Sequence, residues 1–154
     1  MIEVIGDLWT YPCPTKVITT NGDVNKAGLA VMGRGVALQA AEKWPHIRKY
    51  LAQRLTEGNV VHSLGSFDVW GGSIHLISFP VKHHWHEKAD LGLIQQSAVQ
   101  LVKWMDIAPS LNREVVMPRP GCGNGGLSWA EVKPVIDWLD DRFLIIDLPP
   151  RRRT

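Results

Sequence analysis

Two glycine-rich stretches constrain this chain more than any other feature. One is VMGRGVAL, Val31 to Leu38, and the other is MPRPGCGNGGLSW, Met117 to Trp129. Each joins an apolar run to a helix-like pattern: Val115 to Met117 leads into the second, and Lys16 to Thr20 leads toward the first through an Asn21-Gly22 turn. Glycine allows positive φ and puts no Cβ between peptide N–H groups and an approaching anion. A strand, a bare loop and a helix start together make a phosphate site. One such loop alone is read equally well as a turn. Two facing each other would grip a diphosphate from both sides, one through each helix N-terminus. Neither matches GxxxxGK[ST], and Gly33-Arg34-Gly35 is not GxGxxG, which argues against ordinary ATPase and dinucleotide sites.

The remaining pattern alternates strands with helices. Met1 to Ile5 reads as a first strand. Val36, Ala37, Ala40 and Trp44 follow helical spacing, and Pro45 opens a second helical segment through Ile47, Leu51 and Leu55. Val60-Val61, Phe67 to Trp70 and Ile74 to Ser78 are β-type runs separated by Gly65 and Gly71-Gly72, so a hairpin is expected there. Leu91 to Met105 is an amphipathic helix closed off by Pro109; Glu114 to Met117 is a strand, Ala130 to Leu139 a helix and Phe143 to Ile146 a last strand. The order implies an α/β fold with ligands beyond the carboxyl ends of its strands.

The 154 residues suggest one domain over 1–150, followed by a basic tail at 151–154. The net charge of +2 resides largely in that tail and does not by itself indicate nucleic acid. No apolar run approaches the roughly 20 residues of a membrane helix, and Glu3, Gly6 and Asp7 interrupt any leader, so a cytoplasmic protein with no membrane partner is expected. Two cysteines, Cys13 and Cys122, provide neither a disulfide framework nor a metal set. Of seven tryptophans, Trp44, Trp104 and Trp138 fall at packing positions, whereas Trp70 and Trp85 lie in turn-rich contexts suited to binding.

Lys82 is the sharpest candidate for chemistry. It follows Pro80 in FPVKHHWH, where the run Ile74 to Ser78 ends, and an amine there can act as nucleophile or base. A solvated loop lysine is the plainer alternative. His83, His84 and His86 lack a carboxylate or Cys at ligand spacing, so no metal is expected. Asp7 can accept from an exocyclic amine or simply close a turn, Asn21 can meet a sugar hydroxyl or form a turn, and Arg34 can reach phosphate. Cys122 reads either as a thiol at a helix start or as a small buried residue.

The motifs GDL (Gly6 to Leu8), VMGRGVAL, FPVKHHW (Phe79 to Trp85) and PRPGCGNGGLSW resemble, in this order, those of macrodomains. The branch resembled contains the DNA ADP-ribosyl glycohydrolase antitoxins and, more distantly, the animal terminal ADP-ribose glycohydrolase. The resemblance implies a three-layer α/β/α sandwich with a mixed sheet and a cleft for ADP-ribose. It places Asp7 and Leu8 near adenine, Asn21 near the distal ribose, and Met32, Gly33, Arg34, Gly35 and Val36 against the diphosphate. Pro118, Gly121, Cys122, Gly123, Asn124, Gly125, Gly126 and Leu127 form the opposite wall, and Lys82 matches the catalytic lysine.

Three departures qualify this. Arg34 stands where the antitoxins commonly have lysine. The segment Asn21 to Ala30 is long, so Asn21 and Asn25 compete for the ribose. Gly125 occupies the position of the animal enzyme's aspartate. The expectation is a monomeric ADP-ribosyl glycohydrolase without cofactor, acting on a modified nucleobase such as thymidine, in single-stranded DNA, or on a protein side chain. A non-catalytic ADP-ribose reader, or a deacylase or phosphatase of ADP-ribose derivatives, remains the alternative.

Overall fold

The computed structural model describes residues 1–107 and 114–150. Its strands are β1 (Ile2–Ile5), β2 (Thr15–Thr20), β3 (His62–Val69), β4 (Gly72–Pro80), β5 (Val115–Pro118) and β6 (Phe143–Asp147). Among the described residues they form one sheet in the order β1-β6-β5-β2-β4-β3. All neighbours are parallel except β3 and β4, which form the expected hairpin. The helices are α1 (Gly35–Lys43), α2 (Ile47–Leu55), α3 (Leu91–Ile107) and α4 (Trp129–Ile136).

Burial on both faces explains the nearly continuous apolar character of the inner strands. In β2, Val17 joins the core built by Ile94, Ala98, Leu101 and Met105 of α3 with Val132 and Ile136 of α4. The next residue, Ile18, points the other way, into the core of Ala37 and Ala40 from α1 and Ile47 and Leu51 from α2. Helices therefore cover both sides, and the architecture is the α/β/α sandwich with a mixed sheet. The α3 stripe makes its layer cohesive: truncating the fully buried Leu101 to Ala would cost about 2–5 kcal/mol.

Several expectations shift in detail. Val60-Val61 lies outside the sheet; Val61 packs on the core, and its amide donates to Gln100 Oε1 at 2.9 Å. Gly65 does not separate two runs. It sits inside β3 at φ +94, where the register shifts between Ser63 and Gly65, so an apparent break is a bulge. The last helix stops at Ile136, short of Leu139, which still packs into the core. The proposed helix stop at Pro109 and the basic tail at 151–154 lie outside the described residues. No helix among the described residues is long and apolar enough to cross a membrane.

Among the described residues, one ionisable amine is buried in the sheet. Lys16 of β2 is 2% exposed, and its Nζ donates to the Tyr11 carbonyl at 2.8 Å. Burial pushes its ammonium below the ordinary lysine range, while Cys13 and Asp7 act in the opposite sense.

Candidate active site

Three adjacent parallel strands, β5, β2 and β4, end at the same edge of the sheet, with Thr20 in register with Pro80. The segments that leave them surround a cavity of about 390 Å³. This is the crevice that parallel sheets offer beyond their carboxyl ends. Its volume falls within the range of small-molecule sites.

The first wall is the start of α1. Met32, Gly33, Arg34, Gly35, Val36 and Ala37 line the cavity. Arg34 is the cap residue, but its side chain makes no capping hydrogen bond, and the first turn contains no acid. The amides of this turn therefore keep their capacity for an external anion. Arg34 is exposed and has no ion-pair partner among the described residues.

The second wall comes from Pro118, Arg119, Gly121, Cys122, Gly123, Asn124 and Gly125. Here the helix start beyond the loop is built differently from that of α1. Ser128 Oγ accepts from the Glu131 amide at 3.2 Å while the Glu131 carboxylate accepts from the Ser128 amide at 2.8 Å. This capping box satisfies the Ser128 and Glu131 amides internally. What the second loop presents is its own backbone, folded as a short 3-10 turn over Gly123–Gly125. The loops nearly touch: a Cβ on Gly35 would stand 3.2 Å from Asn124 Nδ2.

Lys82 sits at their junction. Its Nζ donates to the Asn124 carbonyl at 3.2 Å and to the Trp85 carbonyl at 3.3 Å. Backbone oxygens hold the amine in the cavity, and among the described residues it has no carboxylate partner. A carboxylate-bearing side chain at Gly125 would have to push Ala89 aside, since a Cβ there would lie 3.0 Å from Ala89 Cβ.

The segment carrying Lys82 is pinned on several sides. Asn59 Nδ2 donates to the Lys82 carbonyl at 3.0 Å, and the Gly22 amide to the His83 carbonyl at 3.2 Å. Asp23 receives His84 Nδ1 at 2.8 Å on one oxygen and the Trp85 amide at 2.8 Å on the other. Burial works against the charge on Asp23, but the bonds from His84 and Trp85 outweigh it and hold its carboxyl below the ordinary range. The same hydrogen bond raises the His84 imidazole above its ordinary value. His83 turns to Asp90, 3.0 Å away, whose other oxygen caps α3 through the Gly92 amide at 2.7 Å and the Leu93 amide at 3.2 Å. The Leu93 bond, followed by that from His83, keeps Asp90 below the ordinary carboxylate range. These histidines thus serve separate carboxylates and anchor the loop.

Other expected residues take distinct places. Asn21 lines the cavity, but its side chain braces the loop, Nδ2 donating to Val31 O at 3.0 Å and Oδ1 accepting from the Asp23 amide at 2.9 Å. Asn25 lies outside the lining and caps its own turn through Ala27 and Leu29. Cys122 lines the wall, partly buried, and burial pushes its thiol up, away from an activated nucleophile. Asp7, Leu8, Gly126 and Leu127 do not line the cavity. Asp7 closes a turn by accepting from the Trp9 amide at 2.8 Å, and Leu8 is buried in a small core that supports Val36. Gly126 provides a left-handed turn at φ +77, and Leu127 is buried behind the loop.

Sequence reasoning did not assign Thr19, Thr20, Val31, Ala37, Val81 or Arg119 to the cavity, and read Trp85 as a binding surface without naming it among the ligand-binding residues. The strand-end positions of Thr19, Thr20 and Val81 were available as a signal. The Asp23–His84 pair, 61 residues apart in sequence, was not.

No family model matches the chain. A protein named DNA ADP-ribosyl glycohydrolase from Mycobacterium tuberculosis is 32% identical over 112 residues, which is 68% of this chain and 30% of that protein. One of the same name from Thermus aquaticus is 30% identical over 135 residues, 84% of this chain and 35% of the relative. The chain thus spans about a third of the length of these curated relatives. Among solved structures, the macrodomain of Mycobacterium tuberculosis DarG is 30% identical, with a TM-score of 0.71 and coverage of 97% of each chain.

Proposed function

Because the chain belongs to the macrodomain family, in its DarG-type branch, we propose that it is an ADP-ribosyl glycohydrolase that releases ADP-ribose from a modified nucleobase, thymidine in DNA. The observation carrying the reading is the position of Lys82 Nζ, held by carbonyls at the meeting of the two glycine loops. The diphosphate lies against the uncapped start of α1, with Arg34 beside it. The second loop encloses the distal ribose and brings its glycosidic carbon to Lys82. Binding the ADP-ribose portion thus fixes the reacting carbon, so much of the barrier is met by orientation.

At that carbon, the bond to the base breaks, and the base leaves with the bonding electrons and takes up a proton. Lys82 either forms a transient bond to the carbon or assists opening of the sugar ring; water then completes release. A single-stranded substrate fits this reading, since a base in a duplex must first leave the stack. The cytoplasm also fits: Cys13 and Cys122 are unpaired, as a reducing compartment keeps them.

Replacing Lys82 with Ala is expected to lower ADP-ribose release from ADP-ribosylated single-stranded DNA by at least about a hundredfold, the scale of lost acid–base or nucleophilic catalysis. Calorimetric affinity for free ADP-ribose should persist. Equal turnover by the variant would overturn the role of Lys82. Binding without turnover by the wild-type protein would instead identify a reader of ADP-ribose.

A further inference from the structure

The reaction does not account for Trp85. Among the described residues it is the one aromatic residue lining the cavity, and it is 55% exposed, leaving an indole surface free for contact. Its backbone is fixed at both ends of the residue: the amide donates to Asp23, and the carbonyl accepts from Lys82 Nζ. The His86 ring packs against the indole at 5.6 Å and nearly perpendicular, without covering it. An exposed aromatic surface is therefore held at a set place beside the reacting amine.

We propose that Trp85 is a specificity-determining residue whose indole stacks on the nucleobase that leaves. This rests on the proposed release of ADP-ribose from a base. If Lys82 marks the glycosidic carbon, the ADP-ribose portion fills the space between the loops and the leaving group emerges on the other side of that carbon. Trp85 lines the cavity beside that carbon, its carbonyl accepting from the Lys82 amine. A pyrimidine presents a π-face that an indole can cover, whereas a glutamate side chain does not. Stacking tolerates any base, so Trp85 selects the class of leaving group without reading sequence. Asp23 holds the Trp85 amide with one oxygen while His84 holds the other.

The test measures affinity by calorimetry on a Lys82→Ala background, which prevents turnover, with free ADP-ribose and an ADP-ribosylated single-stranded oligonucleotide. Adding Trp85→Ala should weaken the oligonucleotide relative to ADP-ribose by about tenfold, the scale of one base–aromatic stack. Trp85→Phe should recover most of that ratio and Trp85→Leu little, which separates stacking from bulk. An unchanged ratio with Trp85→Ala, or equal recovery by Leu and Phe, would overturn the proposal. Turnover of the same oligonucleotide by the protein with native Lys82 separates the two readings. No release removes the nucleobase reaction and the stacking role together; release with an unchanged affinity ratio removes only the stacking role.

Discussion

The two glycine loops look alike in sequence and are built in opposite ways. In the second loop packing leaves little room at Gly121 and Gly125. At Gly121, with φ +78, a Cβ would meet Ile94 Cδ1 at 2.8 Å, Leu127 Cδ1 at 3.0 Å and Ala89 Cβ at 3.1 Å. The Gly125 carbonyl is tied to the Ala89 amide at 2.9 Å, and the helix beyond is closed by its own capping box. Around Gly33 nothing lies within 4 Å of an added Cβ, and the following helix has no side-chain cap. One loop is a fixed wall, locked into the core. The other keeps its backbone donors open, and Gly33 leaves room for a guest. Glycine richness alone does not separate a structural requirement from a binding one; what a Cβ would strike does.

Substitutions can sharpen that contrast. The largest effect is expected for Gly121→Ala, which combines a left-handed backbone with overpacking and should lower unfolding free energy by about 3 kcal/mol in denaturant titration. A change under about 0.5 kcal/mol, the scale of an ordinary surface substitution, would show that the second loop yields as readily as the first. Gly33→Ala should leave stability within about 0.5 kcal/mol but weaken ADP-ribose binding about tenfold by calorimetry, since its methyl takes space meant for ligand. Unchanged affinity would remove the first loop from the site. Smallest is Ser128→Ala, expected to cost about 1 kcal/mol of stability through the lost cap while ADP-ribose affinity stays within about twofold. A large loss of affinity would mean that the start of α4 faces ligand after all.

Strand and helix order was legible because periodicity is local. Val17 and Ile18 identify a strand buried on both faces, and Ile94, Ala98, Leu101 and Met105 identify one side of a helix. Lys82 was legible too, because a strand ending at Pro80 must deliver the next residues to the ligand end of the sheet. Gly65 was misread because a bulge and a turn both select positive φ, and only the partner strand distinguishes them. The helix start expected near Ser128 is where α4 begins, and its capping box, present in sequence as Ser128 and Glu131, went unread. The clasp of Asp23 on His84 and Trp85 was hidden for a deeper reason. It joins segments leaving different strands, and neither contains a local pattern naming the other.

The amine of Lys16 adds a consequence for the whole molecule. Folding places it in the sheet with one carbonyl for company, whereas unfolding returns it to water. Burial depresses its affinity for a proton in the native state, so between that lowered pKa and the free value of 10.5 the unfolded chain binds more protons. In that alkaline window, opening the protein draws protons from the buffer, and Lys16 favours the folded state increasingly as pH rises. The apparent heat of unfolding there depends on the ionisation heat of the buffer that supplies the proton, giving the centre of the sheet a thermochemical signature in bulk solution.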